Sequence, residues 1–210
     1  TQNQAFSALL FLYRNVLEID LGEIRSRRAS KKRSVPTVLS PDEVRALLGR
    51  LEGVPLLVAS PLYGSGARLV ETLRLRRQDI DLDRGVLYIR ASKGGHQRVT
   101  MLPGSVRDPL ESHLRARRRE FLAQREEGRA VVHLPAAIAR KYPNASTSWK
   151  WQWVFPASKD SVDPRTGIFA RYHLHPSAIQ RAVAGAARRA GIPKKASCHT
   201  LRHRFATHLL

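Results

Sequence analysis

The amino-acid sequence predicts an α+β protein that is mainly α-helical and carries one small β-hairpin. Apolar residues recur at helical spacing in several segments, whereas Val86 to Ala91 and Arg98 to Leu102 favour two strands around a turn at Lys93-Gly94-Gly95. Hydrophobic residues make up 42% of the 210 residues, which is enough for a packed core. The length favours one domain, or one domain with part of another.

The first 37 residues are expected to lie outside the main core. Apolar positions repeat at helical spacing from Gln4 to Ile19, and Gly22 suits the C-terminal cap of a helix. A single helix cannot bury its own apolar stripe, so we assign residues 1–22 to a preceding helical domain. Residues 23–37 form a basic linker that either follows DNA or is merely solvated. The linker residues expected to contact DNA are Arg27, Arg28, Lys31 and Lys32.

The main domain is expected to begin near Val38 with a well-marked helix. Ser40 is predicted as its N-cap, Pro41 takes the first helical position, and Glu43 closes a capping box. An apolar stretch over 55–63 then ends at Gly64-Ser65-Gly66. Further helices are predicted over 67–75, 105–127, 134–141 and 175–190 and from about His199 onward.

Two regions carry more specific expectations. In the long helix over 105–127, four apolar side chains are expected to face inward: Leu110, Leu114, Phe121 and Leu122. The region after Phe155 is rich in Pro, Ser and Asp and is expected to be an irregular loop. All three tryptophans lie just before it, at positions 149, 151 and 153.

The charge balance indicates a polyanionic partner. Lys and Arg total 37 against 17 Asp and Glu, a formal net charge of +20. Such an excess favours nucleic acid as the partner, although an acidic protein or an anionic membrane surface would also bind a chain of this charge. The apolar runs are too short to span a bilayer and no leader-like segment opens the chain, so cytoplasm is the expected location. Cys198 is the only cysteine, which excludes an internal disulfide framework and a Cys-rich zinc finger.

The C-terminal segment HTLRHRFATHLL places His199 and Arg202 three residues apart, on one face of a predicted helix. This pair alone is weak evidence for a site. His199 and His203 have the i, i+4 spacing of metal ligands, but no Glu lies between them and carboxylates are remote in sequence, so no metal is expected.

Two upstream motifs strengthen the interpretation. In LYGSGARLVE, Arg68 follows a glycine-flanked turn, and Glu71 lies one helical step further on, where a carboxylate orients an arginine. In SKGGHQR, Lys93 lies at the tip of the predicted hairpin. With His199 and Arg202, these motifs appear in the order found in tyrosine recombinases and integrases, and residues 38–210 resemble the catalytic domain of that family.

The resemblance implies a catalytic set and a mechanism. Arg68 and Arg202 would stabilise the charge on the scissile phosphate, His199 would bind it and assist proton transfer, and Lys93 would be the general acid. A tyrosine would form a 3′-phosphotyrosyl bond without metal, nucleotide or other cofactor. Residues 1–22 would be the last helix of the family's core-binding domain. A departure from the family is Arg204, where a small Ser or Thr is usual.

A segment at about 129–173 resembles the insertion that marks integron integrases. LPAAIARKYPNA is followed by WKWQWVFP, and such enzymes recognise extrahelical bases in gene-cassette sites folded from one DNA strand. By motif position, the residues implied in base contacts are Trp151, Pro164, Tyr172 and His173. The family often has His-His where Tyr172-His173 stands here. Trp149 and Trp153 could equally close a core.

Several alternatives follow from the same residues. The chain begins without Met inside one helical pattern and ends inside another, so we expect a piece of a longer recombinase. Its five tyrosines all precede the HxxR motif, whereas the family's nucleophile follows it, so this piece is expected to bind DNA without cleaving it.

The family acts as a tetramer on DNA, and we expect a monomer off DNA. A non-catalytic DNA-binding derivative is the alternative, and the tryptophan-rich insertion argues against a type IB topoisomerase.

Overall fold

The computed structural model describes residues 2–22, 24, 37–90, 97–164 and 166–208, with side chains as far as Phe205. The chain divides into two compact units, Thr1–Pro36 and Thr37–Leu210. Within the first unit, helix α1 spans Gln2–Asn15, which is shorter at its C-terminal end than the predicted helix. None of its side chains is buried, and Leu9, Phe11 and Leu12 are exposed, as expected for a helix without a core of its own.

The second unit is built mainly from helices. They are α2 (Pro41–Leu48), α3 (Gly53–Gly64), α4 (Leu69–Leu73), α5 (Arg107–Glu126), α6 (Ala136–Lys141), α7 (Pro176–Arg189) and α8 (Cys198–His208). The predicted capping box at the start of α2 is confirmed: the Ser40 hydroxyl accepts from the Glu43 backbone N–H at 3.1 Å, and the Glu43 carboxylate accepts from the Ser40 N–H at 2.6 Å.

Within the described residues, five short strands form two antiparallel sheets. The strands are β1 (Ile80–Asp81), β2 (Val86–Ile89), β3 (Arg98–Met101), β4 (Pro156–Val162) and β5 (Phe169–His173). The predicted pairing of β2 with β3 is confirmed, with Ile89 opposite Arg98 and Val86 opposite Met101. The small strand β1 joins this hairpin on the far side of β2 and was not predicted, because two residues are too short to show a strand pattern.

Two predictions were wrong. The region after Phe155 is a β-hairpin of β4 and β5, with Val162 opposite Phe169, because extended pairing outweighs the low strand propensity of its Ser and Asp residues. Leu122 of α5 is 41% exposed, whereas Leu110, Leu114 and Phe121 are buried as predicted. Leu122 directly follows Phe121, so the helical twist carries it away from the buried stripe.

The centre of the core is α3. Six consecutive residues, Leu57 to Leu62, are buried in it, as expected for a helix that is apolar on all sides and packed by neighbours all round. It contacts α2, α4, α5, α7 and α8. This packing places the loop after α3, the start of α4 and the start of α8 beside one another. No helix of the described residues is long and apolar enough to cross a membrane.

Candidate active site and nucleic-acid interface

Arg68 and Glu71 form an ion pair at the start of α4. The Glu71 carboxylate accepts from the Arg68 backbone N–H at 2.9 Å through Oε2 and from the Arg68 Nη1 at 2.7 Å through Oε1. The Glu71 side chain is 3% exposed, whereas that of Arg68 is 41% exposed. The buried carboxylate therefore orients an arginine that remains accessible from solvent, as the sequence predicts.

Arg98 is a third member of this group that sequence reasoning missed. It begins β3, and its Nη2 donates to Glu71 Oε2 at 2.5 Å while its Nη1 lies 3.3 Å from Oε1. No local pattern could identify the pair, because 27 residues separate the partners along the chain. The only signal was a cationic residue at the start of the predicted second strand.

The two arginines keep the Glu71 carboxylate ionised. Burial by itself raises its pKa, but the hydrogen bonds from Arg98 and Arg68 outweigh this effect and lower the pKa to about 2. At neutral pH the carboxylate is therefore a fixed negative charge between two guanidinium groups.

Arg202 completes the arginine cluster, a name used here for Arg68, Arg98 and Arg202 around Glu71. It lies in α8, and its Nε donates to the Gly66 carbonyl at 3.0 Å, in the loop just before Arg68. Partial burial lowers the pKa of Arg202, the charges of Arg68 and Arg98 lower it further, and Glu71 raises it. Three positive charges thus face one carboxylate, a surplus of positive charge suited to an anionic ligand.

His199 lies one turn before Arg202 on α8 and is exposed. Its Nε2 lies 2.6 Å from the Nε2 of His203, with ring centroids 4.1 Å apart. Partial burial, followed by the neighbouring His203 and Arg202, lowers the pKa of His199, which favours its neutral imidazole. Among the described residues, no three His, Cys, Asp or Glu side chains come together as a metal site requires.

Five of the predicted residues lie outside the described part of the chain. They are Lys93, which the sequence predicts at the hairpin tip, and the linker residues Arg27, Arg28, Lys31 and Lys32.

Arg76 attaches the aromatic segment to the core, and sequence reasoning also missed it. The aromatic segment is the name used for residues 133–153, which contain the three tryptophans. Arg76 is 6% exposed, and its guanidinium donates to the Trp151 carbonyl at 2.6 Å and to the His133 carbonyl at 2.7 Å. Its Cζ lies 3.5 Å from the centre of the Trp153 ring, within cation–π range. Burial lowers the pKa of Arg76 to about 10, so it stays charged at neutral pH. One side chain therefore binds both ends of the segment between His133 and Trp153.

The three tryptophans have different environments. Trp153 is 6% exposed and donates through Nε1 to the Arg171 carbonyl at 3.1 Å, so the core interpretation holds for it. Trp149 is half-buried against Phe121, with ring centroids 5.3 Å apart. Trp151 is half-buried and lines a pocket of about 690 Å³ between this segment and the β2–β3 hairpin.

Tyr172 lies in β5, is 39% exposed and lines the same pocket as Trp151. His173 is 6% exposed, with its ring tilted against Tyr172 at 4.1 Å, and burial lowers its pKa. Pro164 is exposed in the turn between β4 and β5. The structure therefore brings Trp151 and Tyr172 together in the pocket, whereas His173 and Pro164 are not among its lining residues.

Comparison with known proteins agrees with this fold. The family model described as "Phage integrase family" matches residues 37–210. A protein named integrase/recombinase from Escherichia coli is 46% identical over 211 residues, covering 100% of this chain and 63% of its own length. The chain belongs to the phage integrase family of tyrosine recombinases. It spans 63% of the length of that relative.

More distant relatives share the same fold. Tyrosine recombinase XerA of Thermococcus kodakarensis is 29% identical over 181 residues, covering 85% of this chain and 50% of its own length. The crystal structure of a XerA recombinase aligns with a TM-score of 0.56 at 22% identity over 100% of this chain and 62% of that one. A XerH recombinase bound to its difH substrate aligns with a TM-score of 0.57 at 21% identity. The alignment covers 99% of this chain and 53% of that one.

Proposed function

We propose that this chain contains the phosphate-binding part of a site-specific tyrosine recombinase. Arg68, His199 and Arg202 bind the scissile phosphate of DNA, and Lys93 is the general acid. Two contacts carry the proposal: the ion pair of Arg68 with the buried Glu71, and the hydrogen bond that holds Arg202 to the Gly66 carbonyl just before Arg68. Forked guanidinium groups are permanently charged donors, and they stabilise the extra negative charge that the phosphate oxygens carry in the transition state.

In the proposed reaction a tyrosine hydroxyl attacks the phosphate. A 3′-phosphotyrosyl bond forms, the bond to the 5′-oxygen breaks, and Lys93 gives that oxygen the proton it needs to leave. The energy of the phosphodiester is conserved, so rejoining requires no nucleotide or metal. The five tyrosines of this chain all precede His199, so we assign the nucleophile to none of them, and the chain itself binds DNA without cleaving it.

The segment at about 129–173 gives the recombinase its substrate preference in this proposal. Extrahelical bases of gene-cassette sites, folded as hairpins from one DNA strand, stack on Trp151 and Tyr172, with Pro164 and His173 nearby in sequence. The pocket of about 690 Å³ that both aromatic rings line supports this assignment. Each stacked base contributes about 1–3 kcal/mol to binding. The basic linker follows duplex DNA, and the complete recombinase assembles as a tetramer on paired sites in a bacterial cytoplasm.

Binding of this chain to two DNAs at one fixed salt concentration tests the proposal. The first is a single-strand hairpin with extrahelical bases, and the second is the fully matched duplex. We expect tighter binding of the hairpin, and we expect Arg202→Ala to weaken binding of both DNAs. Equal affinity for the two DNAs contradicts the substrate assignment, and an unchanged affinity of Arg202→Ala contradicts the phosphate site.

A further inference from the structure

We propose that Arg98 is a positioning residue of the phosphate site, which binds Glu71 so that Arg68 keeps part of its guanidinium available for the DNA phosphate. The inference rests on the proposed function and adds a residue to its site. Arg98 contacts both carboxylate oxygens of Glu71, at 2.5 and 3.3 Å, whereas the Arg68 side chain donates to this carboxylate through Nη1.

The geometry of the carboxylate explains why a second arginine matters. A buried carboxylate has about four lone-pair directions, and a guanidinium group satisfies two oxygens at once when nothing else competes. Here Oε2 already accepts from Arg98 and from the Arg68 backbone N–H. Without Arg98, the carboxylate would draw the Arg68 fork into a two-point contact and turn it away from the accessible side.

The charges act in the same direction. Glu71 places one negative charge beside Arg68 and Arg202, and its influence reaches the pKa of Arg202. Arg98 supplies the positive charge that offsets it. Removing Arg98 therefore lowers the positive charge available to an anion by one unit, in a partly buried place where screening by solvent is weak.

Arg98 also connects the site to the β2–β3 hairpin. It follows Lys93 by five positions in the sequence and pairs with Ile89 across the hairpin. Its contact with Glu71 joins the base of β3 to the first turn of α4. One ion pair thus places the strand that follows the proposed general acid beside the arginine that binds the phosphate.

Tungstate, a tetrahedral dianion like phosphate, is the probe for the test. Its Kd is measured by calorimetry for the wild-type chain and for Arg98→Met, Arg98→Lys, Arg202→Ala and Arg90→Met. Arg90→Met is the matched control, because Arg90 forms a 2.5 Å ion pair with Asp79, whose side chain is 6% exposed, and so loses a comparable contact outside the arginine cluster. We expect Arg98→Met to weaken tungstate binding about tenfold and Arg90→Met to leave the Kd unchanged. The Kd of Arg98→Lys should lie between those of the wild type and Arg98→Met.

Thermal unfolding of each variant separates positioning from stability. If Arg98→Met does not fold, Arg98→Lys decides the question, since it keeps the charge and loses the fork. Arg98 variants that bind tungstate as the wild type does, while Arg202→Ala loses binding, overturn this inference and leave the phosphate site standing. Equal weakening by Arg90→Met and Arg98→Met also overturns it. A wild-type chain that does not bind tungstate contradicts the proposed function itself.

Discussion

Arg202 donates a hydrogen bond of 3.0 Å to the carbonyl of Gly66, although 136 residues separate the two along the chain. Gly66 has φ +62°, and a Cβ at this position would lie 2.5 Å from Cδ1 of Phe205. Gly66 therefore leaves room for the Phe205 ring of α8, and its carbonyl accepts a hydrogen bond from Arg202 of the same helix. This contact fixes α8 against the loop that leads into Arg68.

Gly66→Ala is expected to destabilise the chain and to weaken its binding of DNA. The left-handed backbone costs a side chain about 1–2 kcal/mol, and the contact with Phe205 adds about 1–3 kcal/mol. Gly85→Ala is the matched control, with φ +64° and open space around the added Cβ, so only the backbone cost applies. Urea unfolding of both variants checks the difference. Equal losses would show that Phe205 does not restrict Gly66.

The stability of the chain is expected to fall in acid partly through Glu71. The folded-state pKa of about 2 lies below the ordinary value of 4.5, so the contribution is present above pH 4.5 and is lost as the pH falls towards 2. Glu71→Gln should remove this part of the pH dependence of the free energy of unfolding. Asp42→Asn, which alters an exposed pair with Arg45, should not. An unchanged acid slope in Glu71→Gln contradicts the assignment.

Arg76→Met is expected to loosen the aromatic segment. It leaves the carbonyls of His133 and Trp151 without their buried donor, which should cost about 2–3 kcal/mol in free energy of unfolding. Hydrogen exchange should show faster exchange over residues 130–153 than in the wild type. Arg45→Met, at an exposed pair, should change the stability by less than about 0.5 kcal/mol. Unaltered exchange in Arg76→Met would mean that other contacts hold the segment.

Trp151→Ala is expected to reduce the preference for hairpin DNA over duplex DNA. Loss of one stacked base should cost about 1–3 kcal/mol, or roughly 5- to 150-fold in hairpin affinity, with little effect on duplex affinity. Trp149→Ala is the control, since Trp149 packs against Phe121 and lies outside the pocket lining. Fluorescence anisotropy with both DNAs measures the ratio. A parallel fall in both affinities would point to a structural role of Trp151.

Much of the fold follows from local patterns in the sequence. Ser40 and Glu43 mark the start of α2, and the β2–β3 hairpin follows from two short strands around glycines. The β4–β5 hairpin could not be predicted, because β4 contains Lys, Asp and Ser, which have low strand propensity, and depends on its pairing with β5.

The candidate site was predictable where motifs carry it and not elsewhere. Arg68, His199 and Arg202 stand in recognisable motifs. Arg98 and Arg76 act through carboxylates and carbonyls that are distant in sequence, at separations of 27, 57 and 75 residues, and only the folded chain brings these partners together. The difference is physical: a motif records local spacing, whereas a buried ion pair depends on tertiary packing.

In the proposed function, Arg68 and Arg202 bind a DNA phosphate. Side-chain ¹⁵N NMR of the arginine Nε–H groups, recorded while the chain is titrated with hairpin DNA, tests it most directly. The signals of Arg68 and Arg202, assigned by single Arg→Lys variants, should shift and saturate with the DNA, whereas that of Arg117, buried in α5 and outside the pocket lining, should remain in place. Saturable DNA binding that leaves the Arg68 and Arg202 signals unchanged would contradict the account.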